Sequence, residues 1–462
     1  MNRRLLFGIA ALAAVAIAVL VVELGSGTKA SSDPFQPLEM PGSSSVLDKI
    51  SRDPLTNPQS QHEGAVEPTL ARFGKTLVVT YQVARQREGG AAALIGFATS
   101  HDGGRTWTSG FLPGLTVRSQ PVGRYRSATD PSVAYDARHR KWLAVSYVIA
   151  ADTLPFQTLL VSRSRDGVHW AMPRTVLNER ISIDKPWVTC DNGTSSPGYG
   201  TCYTAYNEQD EGIAVQSTSD GGKSWSKPVV AGRTDLAGAI PLVRSDGTLG
   251  VVFRRPGQIA VTWSDDGGKS FSTPAAIGPE RLTGDEESGG DPYPLRAPAI
   301  PSVAADSAGT IYVAWPECGS TSGCASTDIL ISSSRNGEVW SRPVEAVTTA
   351  SGEFALLPAV AADPAPRVPP GRLALVYYLL RPSARTLAPM LARSDDAGRT
   401  WTGTSLAQPM PLGSLARAGS IPFVGDYVGV TLERGSVVAA LTVAKEPSGH
   451  RLRQGIYVAR SR

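Results

Sequence analysis

The chain has 462 residues, of which 41% are hydrophobic, so it can bury a sizeable core and is not disordered throughout. Forty-seven glycines and 35 prolines, with no Ala/Leu/Glu/Lys-dense stretch after the first thirty residues, exclude an all-α protein and point to many short strands joined by turns. A formal net charge of +4 leaves no basic footprint for nucleic acid.

In chain order, the first feature is an address. Arg3 and Arg4 precede an unbroken apolar run from Leu5 to Val22, closed by Glu23 and a Gly/Ser stretch. Residues 1–30 read as a signal peptide or an uncleaved signal anchor. The run exceeds a typical signal core and reaches the lower limit, ~17 residues, for spanning a bilayer. Basic residues before it place the rest of the chain outside the cytoplasm, secreted or held to the membrane by this segment alone. Residues 31–60 read as a linker ending in a strand, and residues 61–462 as one repeat domain.

The repeat is a Pro-x-Val (or Leu) step at Pro68, Pro131, Pro186, Pro241, Pro301, Pro358 and Pro422, at intervals of 55 to 64 residues. Five of the seven place an aspartate five residues later: Asp136, Asp191, Asp246, Asp306 and Asp363. A second apolar run follows, giving strand, turn, strand, with proline where no ladder donor is needed and Asp shaping the turn. Within each unit a second signature of the form S-x-D-x-G-x-T-W appears, at Ser100 to Trp107, Thr218 to Trp225, Ser264 to Phe271 and Ser394 to Trp401. Shorter copies run from Ser164 to Trp170 and from Ser334 to Trp340. The seventh unit ends after Ile456-Tyr457-Val458-Ala459, three strands in, so a strand from residues 40–66 is expected to complete it.

Four cysteines fall as two close pairs in Gly/Ser-rich loops, Cys190 with Cys202 and Cys318 with Cys324. Neither pair has CxxC spacing or a histidine nearby, so both read as disulfides in an oxidising compartment, the first expected to brace the functional face. Carboxylates in channel loops, for instance the acidic run Asp285-Glu286-Glu287, could hold calcium, and the plain reading of that run is a solvated loop. No other cofactor is expected. HExxH, G-x-S-x-G, P-loop and dinucleotide motifs are absent.

The six S-x-D-x-G-x-T-W copies resemble the Asp box of the bacterial neuraminidase repeat family of β-propellers, over roughly residues 67–462. The resemblance implies an all-β propeller of four-stranded antiparallel blades, with each Asp box the hairpin turn between the third and fourth strands. Seven repeats favour seven blades, closed by the N-terminal strand; the six blades of the family's sialidases are the alternative. The Asp-box aspartates are then structural.

In such a ring the residues before each first strand and after each second strand share the face opposite the Asp boxes. They are Glu67, Tyr81, Arg126, Asp130, Tyr147, Asp184, Lys185, Tyr206, Glu208, Arg254, Arg255, Arg296, Trp315, Glu317, Tyr378, Arg381, Arg417, Asp426 and Tyr427. Arginine forks and aromatic faces suit an anionic sugar. Sialidases of the family hold a substrate carboxylate with three arginines and use a tyrosine nucleophile, a glutamate and an acid/base aspartate, departing from the two-carboxylate scheme. By resemblance, Arg126, Arg296 and Arg417 form the triad, Asp130 or Asp184 is the acid, and Glu208 with Tyr427 is the nucleophile pair. The family's opening aromatic-Arg-Ile-Pro step is absent; that position reads Val66-Glu67-Pro68-Thr69. The expected function is a sialidase-like glycoside hydrolase acting on extracellular anionic glycans. The alternative is a non-catalytic propeller binding a glycan or a cell-envelope protein.

Overall fold

The computed structural model describes residues 46–461 except 87–90, 151–156, 179–181, 209–211, 234–236, 283–293, 319–323, 366–367 and 450. The export segment (1–30) and the acidic run at Asp285 to Glu287 lie outside the described residues. No helix among the described residues is long and apolar enough to cross a membrane.

Strands β1 (Val46–Lys49) and β2 (Ser60–Gln61) precede a series of antiparallel four-strand groups. These are β3 (Val66–Phe73), β4 (Thr76–Gln86), β5 (Ala92–Ser100) and β6 (Thr108–Phe111); then β7 (Ser127–Asp136), β8 (Lys141–Ile149), β9 (Gln157–Ser164) and β10 (Arg174–Asn178). Next come β11 (Ile183–Cys190), β12 (Cys202–Glu208), β13 (Gly212–Thr218) and β14 (Val229–Gly232); then β15 (Ala237–Val243), β16 (Leu249–Arg255), β17 (Gln258–Ser264) and β18 (Ala275–Pro279). They are followed by β19 (Ser302–Ala305), β20 (Ile311–Cys318), β21 (Thr327–Ser334) and β22 (Val344–Val347), then β23 (Phe354–Ala362), β24 (Leu373–Arg381), β25 (Thr386–Ser394) and β26 (Thr402–Ser405). After β27 (Met410–Pro411) and a two-stranded ribbon, β28 (Ala416–Ala418) with β29 (Ile421–Phe423), the last sheet holds β30 (Gly429–Glu433), β31 (Ser436–Ser448) and β32 (Arg451–Ser461). Its fourth strand is β1, antiparallel to β32 with Val46 opposite Arg460. The expected N-terminal contribution to the last sheet is therefore made.

The alternation of strand side chains explains the packing. Along β4, Leu77, Val79 and Tyr81 face a core shared with Val438 and Val458 of the last sheet, whereas Val78 faces one shared with Val133 and Trp142 of the next sheet. Likewise Tyr203 and Ala205 pack toward Leu249 and Val251, while Cys202 and Tyr206 pack toward Leu143 and Val145. Both faces of each second strand are buried because a sheet lies on either side, which is why these strands read as continuous apolar runs. This also moves four residues off the predicted rim. Tyr81, Tyr206, Trp315 and Tyr378 are buried between sheets, each with its polar atom bonded inside, as in Tyr378 Oη to the Thr442 carbonyl (2.8 Å).

Every Asp-box copy is the turn between a third and a fourth strand. In the first, Asp102 Oδ1 accepts from the backbone N–H groups of Arg105 and Thr106 (both 2.9 Å), and Oδ2 accepts from the Thr106 hydroxyl (2.6 Å). Ser100 Oγ accepts from Gly104 N–H (2.8 Å), and the Trp107 indole donates to the Gly104 carbonyl (3.0 Å) while its ring packs on the core. Two of the repeat's other aspartates do more than shape a turn. Asp306 accepts from Gly371 N–H (3.0 Å) and Asp363 from Gly435 N–H (2.9 Å), each pinning its sheet to the following one.

Two expectations need correction. The seventh Pro-x-Val step, Pro422-Phe423-Val424, is not in a first strand; it sits at the β29 ribbon, and the first strand of the last sheet begins later, at Gly429. Sequence spacing measured the repeat length but could not distinguish a ribbon from a strand. Both disulfides are formed. Cys190–Cys202, however, joins the end of β11 to the start of β12, beside the Asp-box turns, so it braces the opposite face from the one expected; Cys318–Cys324 is the pair on the predicted functional face.

Candidate functional site

The site begins with backbone geometry. Glu67, Asp130 and Lys185 each precede the proline of a first strand, and each has left-handed φ (57°, 47° and 48°) at a register shift in the ladder. A non-glycine residue there costs roughly 1–3 kcal/mol. In the last sheet the turn into the same region uses Gly425 (φ 106°), where an added Cβ would lie 2.7 Å from the Glu67 nitrogen. Leu357, before Pro358, takes the same left-handed conformation (φ 53°) at a register shift, so the bulge belongs to the repeat and the charged residues at three of its positions are what set this region apart.

These bulges bring the three side chains into one buried cluster. Gln82, in β4, donates through Nε2 to the Glu67 carboxyl and to Thr129 Oγ1 (2.6 Å), and Thr129 donates to Asp130 Oδ1 (2.9 Å). The Glu67, Asp130 and Asp184 carboxyls are close enough to perturb one another in series. Lys185 N–H donates to Asp130 Oδ2 (3.2 Å), while its ammonium bridges Asp184 (2.6 Å) and Asp426 (3.4 Å). Arg296 grips Asp426 with both ends of its fork (3.0 and 2.7 Å). Phe423 lies between two guanidiniums, 4.2 Å from Arg85 and 5.5 Å from Arg296. Tyr427 packs edge-on against Trp187 (4.9 Å), and its hydroxyl makes no hydrogen bond among the described residues.

The charges sort themselves by surroundings. Burial, reinforced by Asp130 and Asp426, pushes the Glu67 carboxyl well above the usual range. Burial and the Asp184 charge push Asp130 up to about 6. Asp426 is buried too, yet Lys185 and Arg296 hold it down at about 2. Burial acts against the Asp184 carboxylate, but Lys185 and the Asp130 hydrogen bond outweigh it and keep it below its ordinary value. With a side chain 42% exposed, Asp184 is the solvent-facing end of the carboxyl series. Burial drives the phenols of Tyr427 and Tyr147 well above 10.

The sequence-predicted residues divide. Asp130, Asp184, Arg296 and Tyr427 belong to this cluster. Arg126 is exposed ahead of β7, and Arg417 is exposed on the β28–β29 ribbon, its guanidinium donating to the Ser420 carbonyl (2.5 Å). Glu208 ends β12, opposite Ile183, and the Tyr427 hydroxyl does not bond to it. The expected nucleophile pair is thus not hydrogen-bonded. Sequence reasoning missed Gln82, Arg85, Phe423 and Trp187. The one available signal was Arg85, a charge near the end of an otherwise apolar strand. On the same face, burial raises Glu317 to about 7, with Arg281 N–H donating to it (3.2 Å) beside Cys318. No group of three or more His, Cys, Asp or Glu among the described residues is arranged to hold a metal ion.

Residues 75–283 match the BNR repeat-like domain family. Four of the six Asp-box turns lie within this matched segment and two lie beyond it. No curated protein sequence matches it. Among solved structures, it resembles the leech intramolecular trans-sialidase at 13% identity and a TM-score of 0.47, covering 69% of this chain and 65% of that one. It resembles the intramolecular trans-sialidase of Ruminococcus gnavus at 14% identity and 0.47, covering 72% and 94%. A protein of unknown function from Dyadobacter fermentans is similar at 14% identity and 0.48, covering 91% and 99%. The chain therefore spans less than two thirds of the leech protein.

Proposed function

We propose that this Asp-box protein is an exported, seven-bladed β-propeller acting as a sialidase-like glycoside hydrolase on extracellular anionic glycans. Support for the ring comes from its first strands, which neighbour one another in series from β3 through β7, β11, β15, β19, β23 and β30 and back to β3, and which line one cavity. Support for export comes from the apolar segment after Arg3-Arg4 and from two disulfides, which persist in oxidising compartments.

The observation that carries the catalytic reading is the left-handed placement of Glu67 and Asp130, which buries two carboxyls beside Asp184, with Glu67 and Asp130 raised and Asp184 lowered. Such a pairing supplies an acid and a base in one site. Asp130, raised to about 6, is the member that can exchange a proton near neutral pH, Asp184 is its solvent-facing partner, and Tyr427 is the phenol buried in the same cluster. Arg126 and Arg417 offer exposed guanidiniums to an anionic sugar, and Arg296 a half-buried one.

One observation favours the second reading, a non-catalytic glycan binder: both ends of the Arg296 fork are already held by Asp426. Incubating the purified chain with a fluorogenic sialoside, alongside a glycan array, separates the two. Turnover lost in Asp130→Asn and Tyr427→Phe is the expected result. Binding without turnover selects the second reading, and neither binding nor turnover overturns the proposal.

A further inference from the structure

On the Asp-box face, between the sheets of β24 and β31, lies a groove of about 460 Å³ lined by Arg372, Arg393, Asp395 and Arg434. Three elements contribute its cations: the entry to β24, the third strand β25, and the tight turn joining β30 to β31. Asp395 is its only carboxylate. Arg372 Nε donates to Asp395 (2.7 Å), but that aspartate is 80% exposed, so solvent screens the pair. Arg393 gives Nη1 to the Gly435 carbonyl (3.0 Å), and its Nη2 has no hydrogen-bond partner. Arg434 is exposed at φ 51° in a two-residue turn. The Gly435 N–H is already taken by Asp363, so the turn contributes a side chain and not a backbone donor.

Three guanidiniums around one groove repel one another unless a matching anion sits among them. A planar carboxylate presents two oxygens in one plane, whereas a tetrahedral oxyanion presents three in divergent directions, which suits cations arriving from three strands. We infer that this groove binds a sulfate or phosphate monoester, on the face opposite the carboxyl cluster and independently of any chemistry there.

Calorimetric titration of the full chain with glucose 6-sulfate, glucose 6-phosphate, inorganic sulfate and glucuronate tests this. Saturable binding of the esters, tighter than that of glucuronate and weakening with added salt, is expected. Arg434→Asn, which keeps a residue tolerant of left-handed backbone, and Arg372→Gln should each weaken it about tenfold or more, with the melting temperature held. Asp395→Asn should tighten binding several-fold, since it frees the Arg372 fork; a merely structural role for Arg372 would not give that sign. Equal affinity for inorganic sulfate assigns the groove to the free ion, and tighter ester binding assigns it to a sugar. Absence of saturable binding, binding that survives both arginine substitutions, or weaker binding in Asp395→Asn overturns the inference.

Discussion

The two faces of the molecule treat the same carboxyl group in opposite ways. At the Asp boxes, Asp102, Asp220, Asp266 and Asp396 are ringed by donors from their own turns, and hydroxyl and backbone N–H groups hold them below the usual carboxylate range, Asp220 and Asp396 at about 2. At the other face Glu67 and Asp130 are buried among further carboxyls, and both are raised. Donors supplied within six or seven residues make a carboxylate content with its charge. A carboxyl whose neighbours come from other sheets must share protons and borrowed cations. The first arrangement is a structural staple; the second is a titrating device held together only by the finished fold.

The largest effect is expected where that borrowing is removed. Lys185 is 3% exposed and serves both Asp184 and Asp426, so Lys185→Met removes a buried cation shared by two carboxylates and leaves Asp426 to Arg296 and Asp184 to solvent. Breaking a buried pair from one side costs about 3–5 kcal/mol. Urea unfolding near neutral pH should show that loss, and a variant within 1 kcal/mol of the parent would mean that water already serves these carboxylates.

Next comes pH. Asp130 is raised to about 6, above its unfolded value, so its contribution to stability is complete below about pH 4 and is lost as pH rises through 6. Between pH 4 and 7, Asp130→Asn should therefore gain on the parent by roughly 3 kcal/mol. Unfolding curves at each pH, compared as differences, isolate this slope from that of the other carboxyls. A flat difference would remove Asp130 from the titrating set and sink its acid/base role.

The smallest effect belongs to the Asp-box side. Asp102→Asn weakens charge-assisted bonds to Thr106 and Arg105 and should cost about 1 kcal/mol. Because the Asp102 pKa is depressed, this deficit should be present above about pH 4 and shrink as pH falls below it, the reverse of the Asp130 slope. Glycan binding should be untouched. Loss of binding with an unchanged melt would show that the two faces have been assigned the wrong way round.

What was legible in the sequence was whatever the chain encodes locally. The Asp boxes, the two-strand rhythm of the repeat, the cysteine pairs and the strand donated by residues 46–49 all follow from turn chemistry, alternation and short loops, whose partners lie within a unit or at its edge. Glu67, Asp130, Lys185 and Asp426 could be placed on one rim from the repeat spacing together with the propeller that the Asp-box resemblance implies. Only the tertiary structure decided that they meet, because their partners come from units tens to hundreds of residues apart, as when Arg296 reaches Asp426. It also decided which carboxyls are raised and which lowered, since burial and neighbouring charge are properties of the assembled sheets. For the same reason it withdrew Tyr81 and Tyr378 into the core, separated Glu208 from Tyr427, and set the first disulfide on the far face: which way a strand's residue points, and at which end a loop emerges, is settled when sheets pack and not by the order of residues along them.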